Sequence, residues 1–207
     1  MEIKLHQIFP TFITEWDLGR DITEEEMSVT EYHYAEDKCH NNKGNIVSND
    51  TYILKDCKKL ASINHFIESG VQHYVSTILK PTNQLKFYIT QSWLNYTLPG
   101  QYHHKHSHQN SIISGVFYFN ADEEKDKIFF YKPELYNRIE FDRTSIDWYN
   151  TDNCWFPVKT GKMMLFPSEL MHMVQETETD ETRISLAFNV FARGHFGNEE
   201  RLSSLYT

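Results

Sequence analysis

The clearest periodic pattern in the first part of the chain lies in residues 57–79. Apolar side chains recur there in steps of three and four, at Leu60, Ile63, Phe66, Ile67, Val71, Tyr74, Val75 and Ile78. This spacing predicts an amphipathic helix, and Pro81 predicts its end because proline cannot continue a helix. Upstream, the acidic segment 21–26 predicts another helix start, and segment 8–16, which contains a proline, predicts an edge strand.

The pattern changes at Leu85, where β-branched and aromatic residues begin to form short runs separated by turn residues. Eight segments have this texture: 85–96, 101–108, 111–120, 127–131, 155–158, 162–166, 171–175 and 183–193. They predict a mainly β (α+β) fold, a β-barrel or jelly roll with supporting helices packed outside. The longer polar and aromatic segment 132–153 predicts a lid or a binding loop.

The chain has 207 residues and carries neither an internal repeat nor a Pro/Gly-rich linker, so we expect a single domain over 1–207. Within it, we expect residues 1–84 to form a strand and helical support for the β core. Residues 85–193 are predicted to form that core, and residues 194–207 a C-terminal tail.

Composition and charge narrow the class of protein. Lys and Arg number 20 against 29 Asp and Glu, which argues against binding to nucleic acid. No run of 18 apolar residues exists, and the N-terminus lacks the features of a signal peptide, so we expect no membrane association. Three scattered cysteines without a CxxC spacing favour a cytoplasmic location.

Four of the 11 histidines lie within six residues, which is the strongest chemical signal in the chain. Alternate residues of a strand share a face, so His106 and His108 are predicted to aim at one point, with His104 and Tyr102 further along that face. A third metal ligand must come from elsewhere, and His172, in an apolar predicted strand, is the best candidate. Three protein ligands with open positions are typical of a catalytic metal site.

A histidine such as His172 is, on its own, more often a packing residue than a ligand, and that alternative stays open. The other six histidines have no partner at ligand spacing and are interpreted as surface or packing residues: His6, His33, His40, His65, His73 and His195.

The last predicted strand alternates between two faces. The apolar face consists of Ile184, Leu186, Phe188 and Val190, and the other face of Arg183, Ser185, Ala187 and Asn189. The second face points either to solvent or into the mouth of a barrel. In the mouth, Arg183 with a hydroxyl two residues later predicts a site for a carboxylate.

These motifs resemble the 2-oxoglutarate- and Fe(II)-dependent oxygenases, whose fold is a double-stranded β-helix, a cupin-like jelly roll. The family pattern is H-x-[DE]…H followed by R-x-S, and here it reads His106-x-His108, His172 and Arg183-x-Ser185. The segment 93–100, Trp-Leu-Asn-Tyr-x-x-Pro-Gly, is similar to the family's N-x-Y…G lead-in. Segments 114–119, 165–168 and 183–189 resemble a bacterial and phage subgroup, so the resemblance covers roughly 85–193.

The resemblance implies Fe(II), 2-oxoglutarate and O2 as cofactor and cosubstrates. It implies that His106, His108 and His172 bind the metal. Ser185, like Arg183, is implied to bind 2-oxoglutarate, and the residues implied to add a contact are Asn95 or Tyr118.

His104, Asn189 and Trp93 are further candidates for the same site. The one departure from the family pattern is His108, which stands where a carboxylate ligand is usual. Whether His108 itself, His104 or a water takes that ligand position is left open by the sequence.

The implied activity is that of a hydroxylase, which couples decarboxylation of 2-oxoglutarate to succinate with hydroxylation of a C–H bond. A peptidyl or prolyl substrate is an interpretation by analogy. Two alternatives stand beside it: a three-His, cupin-like metal enzyme that does not use 2-oxoglutarate, and a non-catalytic jelly-roll binding module. A homodimer is left open, and the expected compartment is the cytoplasm, that of the host if the chain is phage-encoded.

Five aromatic residues in or beside segment 132–153 either close over the substrate or pack against the barrel: Tyr131, Tyr136, Trp148, Tyr149 and Trp155.

Overall fold

The N-terminal part of the protein supplies short strands and two helices. The structure, a computed structural model, describes residues 3–6, 9–82, 85–133 and 142–207. The elements in this part are β1 (Thr14–Asp17), α1 (Glu24–Tyr34), β2 (Cys39–Asn41), β3 (Ile46–Ser48), a 3-10 turn (Lys58–Leu60), α2 (Ala61–Tyr74) and a π-helical turn (Val75–Leu79). The predicted start of α1 is confirmed, because Thr23 and Glu26 form a capping box that satisfies backbone N–H groups at its first turn.

The predicted helix over 57–79 is present, although it consists of three segments. The 3-10 turn leads into α2, and the π-helical turn ends at Lys80, whose φ of 45° is left-handed, directly before Pro81. The residues of α2 that face the core are Ile63, Ile67, Gly70, Val71 and Tyr74. The three-and-four spacing therefore identified the buried face of this helix correctly.

The eight predicted strands are all present in the second part of the chain. They are β4 (Leu85–Thr97), β5 (His103–His106), β6 (Ile113–Asn120), β7 (Lys127–Tyr131), β8 (Asn153–Pro157), β9 (Lys162–Pro167), β10 (His172–Val174) and β11 (Arg183–Phe196), followed by β12 (Leu205–Tyr206). The sequence did not predict β2, β3 or β12, which have only two or three residues each.

These strands form two antiparallel sheets. The larger sheet has the order β1-β9-β6-β11-β4-β3-β2, with β12 paired to β11, and the smaller sheet has the order β5-β10-β7-β8. Strand β1 lies at an edge of the larger sheet, as predicted, although it begins at Thr14 and residues 7 and 8 lie outside the described residues. The predicted mainly β jelly roll with supporting helices is confirmed.

Alternation along the central strands divides the buried side chains between two cores. On β6, Phe117 and Phe119 belong to the core that contains α2, whereas Val116 and Tyr118 belong to the core that contains residues of the smaller sheet. The helices therefore cover the outer face of the larger sheet. Its inner face points toward the smaller sheet, and the candidate site lies in that space.

Candidate metal and cosubstrate site

His106, His108 and His172 converge at one end of the space between the sheets. Their ligand nitrogens all lie within 4.8 Å of one another. The ring centroids of His106 and His172 are 4.3 Å apart, and that of His108 lies 5.2 Å from His106 and 5.1 Å from His172. The three histidines that the sequence singled out are thus close enough to share one ion.

Strand pairing explains the contact between two of them. His106 is the last residue of β5 and pairs with His172, the first residue of β10. His108 reaches the site differently, because β5 ends before it and a hydrogen bond from its backbone N–H to the carbonyl oxygen of Ser168, 2.9 Å long, holds the loop. The prediction that strand alternation places His108 at the site is therefore wrong, although its side chain does lie at the site.

A register shift in β5 changes which neighbour faces the site. His106 pairs with His172, and His103 pairs with Val174. Between these two pairs β5 advances by three residues and β10 by two, so β5 contains one extra residue, as in a β-bulge. As a result His103, rather than His104 or Tyr102, lines the cavity with the three histidines. Tyr102 is 45% exposed and does not share a buried face with His106, whereas the ring centroid of His104 lies 5.0 Å from that of His106.

Each of the three histidines is held through its Nδ1 atom by an oxygen acceptor. The Nδ1 atom of His106 lies 2.7 Å from the carbonyl oxygen of His104, and that of His172 lies 2.9 Å from the carbonyl oxygen of Leu170. The Nδ1 atom of His108 lies 2.5 Å from the side-chain oxygen of Asn189. Because these oxygens accept hydrogen bonds, the proton is on Nδ1 and the Nε2 lone pair is left for a metal ion.

The environment keeps these imidazoles neutral, as metal ligation requires. Burial lowers the pKa of His106 to about 4 and, together with the neighbouring imidazoles, that of His103 to about 3. Burial also lowers the pKa of His108, and it lowers that of His172 well below the usual value. No proton has to leave the cluster at neutral pH before a cation binds.

Arg183 lies buried at the start of β11 and is only partly satisfied. Its Nη1 atom donates to the Oδ1 atom of Asp126 at 2.9 Å, and the two side chains are 3% and 2% exposed. Its Nη2 atom, and the hydroxyl of Tyr118, are buried without a hydrogen-bond partner among the described residues. A buried polar group without a partner costs about 1–3 kcal/mol, so both atoms point to a missing acceptor.

Burial raises the pKa of Tyr118, so its hydroxyl remains a donor. Burial lowers the pKa of the Arg183 guanidinium, and the carboxylate of Asp126 opposes that shift. Two donors without acceptors, one of them cationic, are suited to a carboxylate.

The residues predicted to bind the cosubstrate are neighbours across three strands. Ser185 of β11 pairs with Asn95 of β4 on one side and with Tyr118 of β6 on the other. These three residues and Trp93 line the same cavity as the histidines. The polar face of β11 therefore points between the sheets and not to solvent, which decides the alternative that the sequence left open.

Asp126 is the residue of the site that sequence reasoning missed. It precedes β7 in an acidic turn, and nothing in the sequence separates it from Asp122, Glu123 and Glu124. Its burial, which the chain pattern did not reveal, depends on the distant Arg183.

Residues 91–189 match the protein family described as "Putative 2OG-Fe(II) oxygenase". The match includes Asn95, the three histidines, Arg183 and Ser185. The matched segment is thus similar to the 2-oxoglutarate- and Fe(II)-dependent oxygenases, the family that the sequence motifs resemble. This match implies Fe(II), 2-oxoglutarate and O2 as cofactor and cosubstrates. No curated protein matches the chain.

Solved structures of such oxygenases have the same fold. The chain aligns with the alpha-ketoglutarate-dependent epimerase SnoN from nogalamycin biosynthesis at 10% identity and a TM-score of 0.59, covering 87% of this chain and 78% of that one. It aligns with the carbocyclase SnoK of the same biosynthesis at 12% identity and a TM-score of 0.58, over 94% and 87%. A Pseudomonas putida prolyl-4-hydroxylase aligns at 12% identity and a TM-score of 0.54, over 87% and 92%. At these identities the likeness shows the double-stranded β-helix alone.

The described residues fit the groups that this oxygenase family uses. Imidazole nitrogens are suitable ligands for Fe(II), and three of them have their second nitrogen already hydrogen-bonded. The unpartnered Nη2 atom of Arg183 and hydroxyl of Tyr118 suit the far carboxylate of 2-oxoglutarate.

An aromatic groove of about 460 Å³ lies beside the oxygenase site. Its lining includes Phe12, Phe130, Trp148, Tyr149 and Leu170, and the ring centroid of Phe130 lies 6.2 Å from that of His172. Trp148 and Tyr149 are 74% and 68% exposed, so they do not pack against the barrel.

The predicted lid over 132–153 stays a prediction. Tyr136 and the rest of 134–141 lie outside the described residues. Trp155 lies on β8 and is 49% exposed, and Tyr131 ends β7 with its hydroxyl directed at the sulfur of Met173. No helix among the described residues is long and apolar enough to cross a membrane.

Proposed function

We propose that the chain is an Fe(II)- and 2-oxoglutarate-dependent dioxygenase that hydroxylates a C–H bond. The observation that carries the proposal is the combination of three converging, hydrogen-bonded imidazoles with Arg183, a buried cation whose Nη2 atom lacks an acceptor among the described residues. Bound iron supplies the activation of O2, in which 2-oxoglutarate is oxidised to succinate and CO2 and the second oxygen atom enters the substrate. The roles of the protein are to hold, orient and shield these reactants.

His106, His108 and His172 would hold the iron through their Nε2 atoms. The acceptors on Nδ1 fix the tautomer and the ring orientation, and removal of such an acceptor typically weakens metal binding 10–100-fold. Among the three acceptors, the amide of Asn189 is the only one that belongs to a side chain, which makes it the one that mutation can test.

Arg183 and Tyr118 would receive the far carboxylate of 2-oxoglutarate, with Ser185 and Asn95 beside them on neighbouring strands. Since Asp126 already neutralises Arg183, the carboxylate enters a pocket whose charges balance, and its binding depends on the direct hydrogen bonds from Nη2 and the Tyr118 hydroxyl. Apolar side chains at Val116, Ile128 and Phe166 line the same cavity and limit the entry of water.

The proposed substrate is peptidyl, with a prolyl side chain as the specific case. Support comes from the aromatic groove beside His172, which is open and lined by exposed rings, because extended peptides bind in such grooves. A small metabolite enclosed in the barrel would not contact the exposed side chains of Trp148 and Tyr149.

The proposal is tested by adding Fe(II) and 2-oxoglutarate to the metal-free protein without oxygen. We expect a weak visible charge-transfer band, and release of succinate when oxygen and a peptide library are added. Arg183→Ala should retain iron and lose 2-oxoglutarate binding, since the guanidinium does not touch the metal. A normal 2-oxoglutarate affinity in that variant would contradict the assigned role.

The absence of a carboxylate among the three converging ligands favours one second candidate, a three-His metal enzyme that does not use 2-oxoglutarate. A metal-bound water of lowered pKa would be its reagent. Metal binding without a charge-transfer band and without succinate would support it. A His106→Ala/His172→Ala variant that retains all its metal would instead support a non-catalytic binding module.

A further inference from the structure

A second group of histidines lies next to the three proposed iron ligands. His103, His104 and His106 also have ligand nitrogens that all lie within 4.8 Å of one another. Their ring centroids are 4.5 to 5.2 Å apart, similar to the distances within the first group. We propose that these three side chains form a second metal position, which competes with the first one because both need His106.

The extra residue in β5 accounts for the grouping. In a regular strand, consecutive residues such as His103 and His104 point to opposite faces. The register shift between the pairs His106–His172 and His103–Val174 inserts one residue, and bulges of this kind redirect a side chain. Both imidazoles therefore approach His106, which a regular strand would not allow.

An unpartnered nitrogen provides independent support. The Nδ1 atom of His104 is buried and has no hydrogen-bond partner among the described residues. The proposed iron ligands differ, because each of them has an acceptor on Nδ1. A metal ion bound at this nitrogen would satisfy it.

The two positions exclude each other for a chemical reason. The Nδ1 atom of His106 is engaged with the carbonyl oxygen of His104 at 2.7 Å, so only Nε2 is free to bind a cation. One lone pair serves one ion. An ion at the second position removes His106 from the first set and leaves His108 and His172, too few for the three-ligand site.

The chemistry of the ligands indicates which ions occupy the second position. Three imidazoles without a carboxylate favour late divalent transition metals, in the order Fe(II) below Ni(II) below Cu(II), with Zn(II) also strong. All three side chains are partly exposed, whereas the first set includes the buried His172. The second position is thus the one nearer to solvent, and zinc or copper bound there would block iron loading.

The decisive experiment measures zinc binding by equilibrium dialysis in a His108→Ala/His172→Ala variant, which keeps only the second group. We expect one Zn(II) per chain. Adding His103→Ala and His104→Ala should weaken binding at least tenfold, whereas adding His65→Ala, which removes an exposed histidine on α2, should leave it unchanged. No zinc in the first variant, or equal loss with His65→Ala, would overturn the proposal.

The unmutated chain provides a second measurement that does not depend on the folding of the variants. Copper(II) electron paramagnetic resonance should show two ligand environments that sum to one ion per chain, and His103→Ala/His104→Ala should leave one. A single environment that the double variant does not change, or two ions per chain, would refute the competition. Neither experiment uses iron or 2-oxoglutarate, so a missing charge-transfer band with iron would refute the proposed function and leave this inference standing.

Discussion

The buried ion pair between Asp126 and Arg183 yields the sharpest prediction. Asp126→Asn preserves shape and removes one charge, so Arg183 becomes a buried cation without a counter-ion. At 2.9 Å and an effective dielectric constant of about 20, the lost attraction is roughly 6 kcal/mol. The asparagine oxygen can still accept one hydrogen bond, and breaking buried pairs typically costs about 3–5 kcal/mol. We expect a loss of unfolding free energy in that range.

For a chain of this size, about 1 kcal/mol shifts the melting temperature by roughly 2–4 °C. The melting temperature of Asp126→Asn should therefore lie roughly 6–20 °C below that of the parent protein. Asp122→Asn in the same turn is the matched control. Among the described residues, the side chain of Asp122 accepts a hydrogen bond from the N–H of Glu124, and surface changes of this kind usually stay within about 0.5 kcal/mol.

The same variant tests the role of Arg183 in cosubstrate binding. In Asp126→Asn, the far carboxylate of 2-oxoglutarate would supply the missing counter-charge. The ligand should therefore raise the melting temperature of the variant more than that of the parent, measured without oxygen and with Mn(II) in place of iron. If both proteins gain the same amount, the carboxylate does not reach Arg183. If the variant melts like the parent, the ion pair does not stabilise the fold.

Three further predictions concern packing, metal binding and pH. A Cβ at Gly115 would collide with the ring of Phe188, so Gly115→Ala should cost about 1–3 kcal/mol in chemical denaturation. A Cβ at Gly70 would meet the flexible end of Met163 and make ordinary contacts with Leu165 and Trp16. Gly70→Ala should therefore be neutral or stabilising by about 0.5–1 kcal/mol, because α2 gains a better helix former. Asn189→Ala should weaken metal binding about 10–100-fold in competition with a chelator, and an unchanged affinity would contradict the role of the Asn189–His108 hydrogen bond. The pKa of His106 is lowered from 6.5 to about 4. The contribution of His106 to the stability of the metal-free fold, roughly 1–3 kcal/mol, is therefore fully present above pH 6.5 and is lost as the pH falls toward 4. The unfolding free energy of His106→Asn, measured by chemical denaturation, should change less with pH over this window.

The fold was largely predictable because its signals are local. Alternation in 113–120 and 183–196 reflects two cores on opposite faces of one sheet, and any strand between two cores carries that pattern. Strands β2 and β3 escaped prediction because they have three residues each and are stabilised by pairing with one another and with β4.

The site was predictable only where spacing encodes it. His106 and His172 lie within segments that were predicted as strands, although the sequence did not predict that these two strands pair. His103 lines the cavity because of a register shift between β5 and its partner strand β10. The sequence contains no pattern that predicts this shift. Asp126 was missed for a similar reason, because a sequence does not distinguish a buried aspartate from an exposed one. Its buried partner, Arg183, lies 57 residues away along the chain.

The placement of charge links the two halves of the proposed site. Asp126 carries a carboxylate that is buried against Arg183, whereas all three converging metal ligands are neutral. A divalent ion bound to neutral imidazoles keeps its full charge, so the near carboxylate of 2-oxoglutarate would partly neutralise it, as a protein carboxylate does in the usual family pattern. Metal and cosubstrate would then strengthen the binding of one another, and by thermodynamic linkage they do so by the same factor. The replacement of a carboxylate by His108 would thus transfer to 2-oxoglutarate part of a charge that the usual family pattern takes from the protein, so iron should bind more tightly when the cosubstrate is present.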